Sequence, residues 1–501
     1  MNVKTAVMIT AAVLLCGCQR TPEVNAVPAE TPAAEINPVH TVTGNLLKIT
    51  DASDFEAGSC TGLVLNPDIG DGALRLADGI TEGFFESAVY EATAFTEMNA
   101  CWNAAVYDGG EVEIYARARY GETWTEYLTW GPYTPFESRG TKEGKQCSDA
   151  EVDHDLFRMK DERTADAVQM KAVLRRKHAD DASPVLRMLS MTFRGAEMTP
   201  AYAEERIQQI PEQVMIPAEA LSQLRRAPAI ADYICSPTVI SIMLNSRMPA
   251  LQVLPEELAL NSKDEGEGIF GNWSFCVASA GLYGFEAYTQ FGDCDIILQE
   301  LARGNPVCIN VSYTDKKDTD LPYLEGVTGS TEGHLICLHG YEYEDGIRDE
   351  EHLVFFVCDS FSETDEDAER VYRWSQLQNC YKGMTYIMPA RAPEVRGDGA
   401  PGIMHAEAEL CRDEEHTDAW YFAVNGERID MDRFINGGGI LAYSVQDTET
   451  ALYYDISCNA DGSLMLNRAE LLEKAQQPDR GQTITVHAFS DRGITYEAVL
   501  P

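Results

Sequence analysis

The stretch Tyr233-Ile-Cys-Ser-Pro-Thr-Val-Ile-Ser-Ile-Met243 decides how the middle of the chain is read. Ser236 is a residue type that caps helices and Pro237 suits a first helical position, after which Val239, Ile240, Met243 and Leu244 recur at helical spacing. A helix is therefore predicted to open at Ser236-Pro237, with Cys235 just ahead of it. Unpaired N–H groups and the positive end of a helix dipole favour the thiolate, the nucleophilic form of cysteine. The same position equally suits a buried, inert cysteine in front of a core helix. With 14 cysteines in the chain, Cys235 alone does not separate the two readings.

The downstream residues do. After Cys235 come Gly271-Asn-Trp273, an apolar run at 278–282, Gly304-Asn-Pro-Val307, Gly333-His334-Leu-Ile, Gly340-Tyr341 and Val357-Cys-Asp359. In order and spacing this series resembles the peptidase C39-like family of papain-like cysteine peptidases, over roughly residues 216–389. The resemblance implies a central α+β papain-like domain, here bounded at 196–389. Within it Cys235 would be the nucleophile, His334 the general base and Asp359 the carboxylate that orients the base. An upstream glutamine would supply an oxyanion donor. Ala229 occupies the close position used in papain itself, so the role passes to Gln223 of the Ser222-Gln223 pair. Trp273 would wall the substrate cleft or simply pack across the cysteine helix.

Strand geometry sharpens the histidine choice. Residues 334–339 read as a strand, so His334, Ile336 and Leu338 share one face and Leu335, Cys337 and His339 the other. The two histidines cannot both face the cysteine, and the resemblance selects His334. Asp359 ends an apolar strand at 352–358, where a buried carboxylate needs a partner such as an imidazole N–H. The family usually has proline next; here Ser360 follows. Asp365 and Asp367 sit in an acidic loop and read as solvated charge.

Around this unit the chain divides into further parts. Residues 45–195 read as a β-sandwich, with polar and apolar residues alternating at 93–105 and 112–120 and Gly109-Gly110 as a turn between. The arrangement is similar to the jelly-roll-like modules found before such peptidase domains. Its aromatics, among them Trp102, Trp124 and Trp130, fill a core or present faces to a glycan or cell-wall peptide. A short helical connector is expected at 201–213. The segment 390–501 opens with a Pro/Gly-rich linker and continues as a small β-rich module, with short strands and one amphipathic helix at 463–476.

The N-terminus carries Lys4 and an apolar run at 6–15, too short to span a bilayer, which is the shape of a secretory signal peptide at 1–17. Leu15-Cys-Gly-Cys18 resembles a bacterial lipobox, and that resemblance makes Cys18 the lipidation site of an exported protein anchored to the membrane and facing out of the cytoplasm. Residues 18–44, rich in Pro, Ala, Glu and Thr, would be the tether. With 39 basic against 81 acidic residues, the net charge of −42 excludes nucleic acid as a main partner. No metal-ligand spacing, phosphate loop or nucleotide motif is found, so neither metal nor cofactor is expected. Cysteine spacing leaves disulfide pairing open, with Cys60–Cys101 and Cys411–Cys458 as possibilities.

Three functions follow. The first is a lipid-anchored cysteine peptidase acting on a peptide or protein. The second is a non-catalytic surface lipoprotein that binds peptide or glycan. The third is an acyltransferase or amidase on the same fold, because a thioester can be resolved by an amine as well as by water.

Overall fold

A computed structural model describes residues 40–42, 44–66, 69, 72–195, 207–249, 252–317, 319–391, 405–412, 419–435, 437–446 and 451–501. The leader, Cys18 and most of the tether lie outside these residues, as does most of the 390–401 linker. The first half of the connector, 201–206, also lies outside; its second half forms no helix and leads into the strand Gln213–Met215.

Alternation in the first third produces strands Tyr90–Ala105 and Gly110–Tyr120. Their inward residues Met98, Ala100, Trp102, Val112, Ile114, Ala116 and Ala118 are fully buried, as a two-residue period demands. Strand order is Leu128–Tyr133, Gly110–Tyr120, Ala165–Arg176, Tyr90–Ala105, Val185–Gly195, Ala73–Leu76, Leu63–Asn66. Gly109 turns the chain with φ 77°, where a side chain would be strained, and the Gly110 N–H bonds the Tyr107 carbonyl at 2.8 Å. The two strands so joined do not form a hairpin. Each pairs instead with Ala165–Arg176.

The central region folds around an antiparallel sheet in the order Phe285–Phe291, Tyr381–Arg391, Val307–Thr314, Ser330–Tyr343, Leu353–Cys358, Glu369–Arg373. Helices Cys235–Arg247 and Trp273–Leu282 share a core with Cys308, Leu335, Cys337 and Cys358 of this sheet. The opposite face, with Ile309, Val311, Ile336 and Leu338, packs on Ile297 and Leu301 of helix Cys294–Ala302.

These two regions share one core. Trp102 and Tyr133 of the first meet Phe275 of helix Trp273–Leu282 edge to face, at 5.9 and 5.2 Å between ring centres. Asn103 clamps Ala287 through both backbone groups, at 2.9 and 3.0 Å, and Asn99 receives the Thr289 hydroxyl at 2.6 Å. The aromatics of the first region are accordingly core: Trp102 and Trp130 are 0% exposed, while Trp124 and Tyr127 lie under the Arg117 guanidinium. That removes Trp102 and Trp130 as stacking platforms for a glycan.

The C-terminal region holds strands Ala419–Val424, Ile440–Val445 and Ile484–Phe489 in two small sheets. Its helix is shorter than the 463–476 expected. Asn467 caps it and it runs Arg468–Lys474, because Leu464–Met465 pair instead with Ala419 and Trp420 as a strand. Cys60, Cys101, Cys411 and Cys458 are free thiols, and no disulfide joins any of the described cysteines. No helix among the described residues is long and apolar enough to cross a membrane.

Candidate active site

Cys235 is the first residue of helix Cys235–Arg247, two positions earlier than Pro237, where the sequence suggested the helix would start. Ile234 stands at the cap without a side-chain hydrogen bond, and its carbonyl receives both the Thr238 N–H at 2.9 Å and the Thr238 hydroxyl at 2.8 Å. Ser236 cannot cap because it is buried inside the first turn. Its hydroxyl instead meets Cys276 Sγ at 3.1 Å and the Tyr386 hydroxyl at 2.9 Å. Cys235 itself remains partly exposed.

Strand Ser330–Tyr343 carries His334 to this helix start, paired in register with Val311. His334 Nε2–H donates to Asp359 Oδ1 at 2.8 Å, which leaves Nδ1 for Cys235, near enough to raise the ring's affinity for a proton. Tyr313 and Phe361 meet the imidazole edge to face, each at 5.9 Å. Burial by itself disfavours the imidazolium. The Asp359 charge and hydrogen bond, and then Cys235, more than offset it and push His334 up to about 10. His339, five residues on, is engaged elsewhere: its Nδ1 bonds the Ile216 carbonyl at 2.9 Å.

Asp359 follows strand Leu353–Cys358 and is 2% exposed. Beside His334 it accepts from the Tyr372 hydroxyl at 2.8 Å, the Tyr313 hydroxyl at 3.2 Å and the Phe361 N–H at 3.2 Å. Burial alone would raise its pKa. The imidazolium charge and these donors reverse that and hold it below the usual carboxylate range. Sequence reading missed both tyrosines. Tyr313 sits two strands over from Leu353–Cys358 and Tyr372 arrives from the neighbouring Glu369–Arg373, so only the sheet order reveals them.

Gln223 lies in a short 3-10 turn, Gln223–Arg225, and is 2% exposed. Its amide is held at both ends. Nε2 donates to the Ala231 carbonyl at 2.9 Å, and Oε1 accepts from Ser360 at 2.9 Å. Its own N–H donates to the Ser360 carbonyl at 2.8 Å. The serine that stands where the family usually has proline thus joins Gln223 to the segment carrying Asp359. Asp365 differs from its reading as solvated charge, since it accepts the Ser222 N–H at 2.6 Å and so anchors the same turn. Asp367 is exposed and bonds only within its own loop, to Thr364.

Trp273 opens helix Trp273–Leu282 behind the cap Asn272, and its ring meets Tyr386 at 6.5 Å. It is half-buried and lines a cavity of about 350 Å³ together with Leu156, Asn310 and Lys382. A second, more apolar hollow of about 410 Å³ borders Leu221, Asn245 and Leu254. Asn245 is ten residues along the helix from Cys235, about 15 Å at the usual helical rise, so that hollow lies away from the thiol. Among the described residues no cluster of three or more His, Cys, Asp or Glu side chains is placed to hold a metal.

Residues 215–388 match the Peptidase_C39 like family, and residues 45–193 match the Peptidase C39 N-terminal domain. No curated protein matches the chain. Among solved structures, similarity extends to xylellain, a cysteine protease from Xylella fastidiosa, at 14% identity and TM-score 0.27, covering 39% of this chain and 94% of that one. A likeness that low carries no argument. The two matches lie in tandem along the chain, the N-terminal one ending at 193 and the other beginning at 215.

Proposed function

We propose that the protein is a cysteine peptidase that cleaves a peptide or amide bond through Cys235, His334 and Asp359, with Gln223 supporting the oxyanion. One observation carries this reading: a partly exposed cysteine at a helix start stands beside an imidazole whose Nε2 is fixed at 2.8 Å by a buried carboxylate. The family match over 215–388 supports the same class.

In this mechanism Cys235 Sγ attacks the carbonyl carbon while His334 holds the thiol's proton. The carbonyl electron pair moves onto oxygen. That oxyanion faces the Cys235 N–H, which as a first helical N–H has no acceptor within the helix, and the second hydrogen of Gln223 Nε2. His334 then protonates the leaving nitrogen, the C–N bond breaks, and a thioester remains. Water attacks it, gives its proton to His334, and releases the acid and the thiol. Asp359 stays ionised throughout and fixes the ring.

The N-terminal domain is read as jelly-roll-like and the central one as papain-like. The sequence at 1–18 supports export and anchoring through a lipid on Cys18. An activated ester substrate tests the chemistry. Wild-type protein should show a burst of product equal to the enzyme present, with a thioester on the peptide containing Cys235 by mass spectrometry. Neither should form with Cys235→Ala, and absence of both in the wild type would overturn the reading.

A further inference from the structure

The cavity beside Trp273 is built by both domains. From the N-terminal domain, the two-residue turn between strands Ala150–Asp153 and Leu156–Met159 places His154 and Asp155 there, with His154 at φ 57°. From the peptidase domain come Trp273, Asn310 and Lys382. Two short chains of contacts lead from these elements to the candidate site. Trp273 abuts Tyr386, which bonds Ser236 next to Cys235. Asn310 neighbours Val311, the register partner of His334, and the Lys382 ammonium bonds the carbonyl of Glu332, two residues before His334.

Asp155 is the unusual member. It is 7% exposed, and its carbonyl is held from behind by Asn99 Nδ2 and Trp130 Nε1, both at 2.7 Å. One carboxylate oxygen accepts the Trp273 N–H at 2.6 Å. No cation forms an ion pair with it among the described residues. Lys145, whose charge acts on it, is occupied by the His154 carbonyl at 2.8 Å and Glu267 at 3.0 Å. The arginines of the cavity are likewise engaged, Arg158 with Glu97 and Asp153, and Arg194 with Glu97. A buried carboxylate without a paired cation costs stability, and burial, only partly offset by the Trp273 N–H and the charges of His154 and Lys145, pushes Asp155 up to about 6. Such a cost is kept where the group has work to do at a site.

We propose that Asp155 of the N-terminal domain binds a cationic group of the substrate, an ammonium or guanidinium, in the cavity walled by Trp273. The aromatic face of Trp273 suits the same cation, and the chain's net charge of −42 draws cationic peptides toward it. The N-terminal domain is then a specificity element of the peptidase. This inference rests on the peptidase reading for its substrate, yet its test does not depend on turnover.

Full-length Cys235→Ala protein is titrated with fluorescent peptides of one sequence in four forms: free amino terminus with lysine, acetylated with lysine, free amino terminus with norleucine, and acetylated with norleucine. The doubly neutral form should bind about 10- to 100-fold more weakly than the doubly cationic one, the usual worth of a hydrogen bond to a charged group. The two singly charged forms tell whether the amino terminus or the side chain is read. Asp155→Asn in the same background keeps an acceptor for the Trp273 N–H and should erase the difference without lowering the melting temperature. Equal binding of all four peptides would overturn the proposal, as would a discrimination that Asp155→Asn leaves intact. If the wild type forms no thioester while the charge preference stands, the peptidase reading fails and the cation site survives.

Discussion

Asp359 and Asp155 are both more than nine-tenths buried in one folded body, yet their surroundings push them in opposite directions. Asp359 has an imidazolium, two phenols and a backbone N–H around it, and stays ionised below the ordinary range. Asp155 accepts the Trp273 N–H, and burial outweighs its donors and raises it to about 6. Burial is common to both, so the donor set decides the sign. The fuller donor set at Asp359 holds a neighbour in place; the sparser one at Asp155 leaves a carboxylate on the wall of a cavity.

The largest effect is expected at Asp359. Asp359→Ala leaves His334 and the Tyr372 and Tyr313 hydroxyls buried without their acceptor, a loss of about 3–5 kcal/mol in denaturant unfolding. Activity should fall by about 100- to 10,000-fold, since the general base loses its orientation. Asp155→Asn should do the reverse to stability. At pH 7 the ionised Asp155 costs about 2–3 kcal/mol, from a folded pKa of about 6 against an ordinary 3.8, and the amide removes that cost.

The pH dependence separates the two carboxylates again. Asp155 binds its proton more tightly when folded, so its cost is fully present above about pH 6 and is relieved as pH falls toward 3.8. Asp359 binds its proton less tightly when folded, so its contribution is present above 3.8 and is lost as pH falls through its lowered value. The raised His334 contributes fully below 6.5, and that contribution is lost as pH rises through about 10. Wild-type protein should therefore gain stability between pH 7 and 5 relative to Asp155→Asn. Equal slopes in unfolding experiments across that range would remove the contrast.

Smaller changes sharpen it. Tyr372→Phe deletes the 2.8 Å donor to Asp359 and should cost about 1–2 kcal/mol while moving the acid limb of the stability curve upward. Tyr313→Phe, at 3.2 Å, should move it less. Ser360→Ala leaves the buried Gln223 Oε1 without its donor, and kcat should drop several-fold with KM little altered. A change in KM alone would assign Ser360 to substrate binding instead of to the glutamine.

Elements with strong local periodicity were legible in the sequence. The strands at 93–105 and 112–120, the helix after Cys235 and the strands around His334 and before Asp359 lie within a few residues of their expected bounds. What failed depended on tertiary partners. Ser236 has the chemistry of a cap, yet its burial gives the hydroxyl to Cys276 and Tyr386. The helix at 463–476 lost its first turn to pairing of Leu464–Met465 with a neighbouring strand. Asp365 looked like one more surface acid in a chain with 81 of them, and its bond to Ser222 spans 143 positions. Tyr313, Tyr372 and Asp155 carry no local signal, because each matters only through a sheet register or a domain boundary. Ser360 alone left a trace, as a departure from the proline expected after Asp359.

The measurement that tests the central claim most directly is the rate at which iodoacetamide alkylates Cys235 at neutral pH, followed by mass spectrometry, in wild-type and His334→Ala protein. A working Cys235–His334–Asp359 arrangement predicts a wild-type rate at least about tenfold above that of the variant, with Cys235 outpacing the exposed Cys60 in the same molecule. Equal rates in the two proteins, or a Cys235 no faster than Cys60, would contradict it.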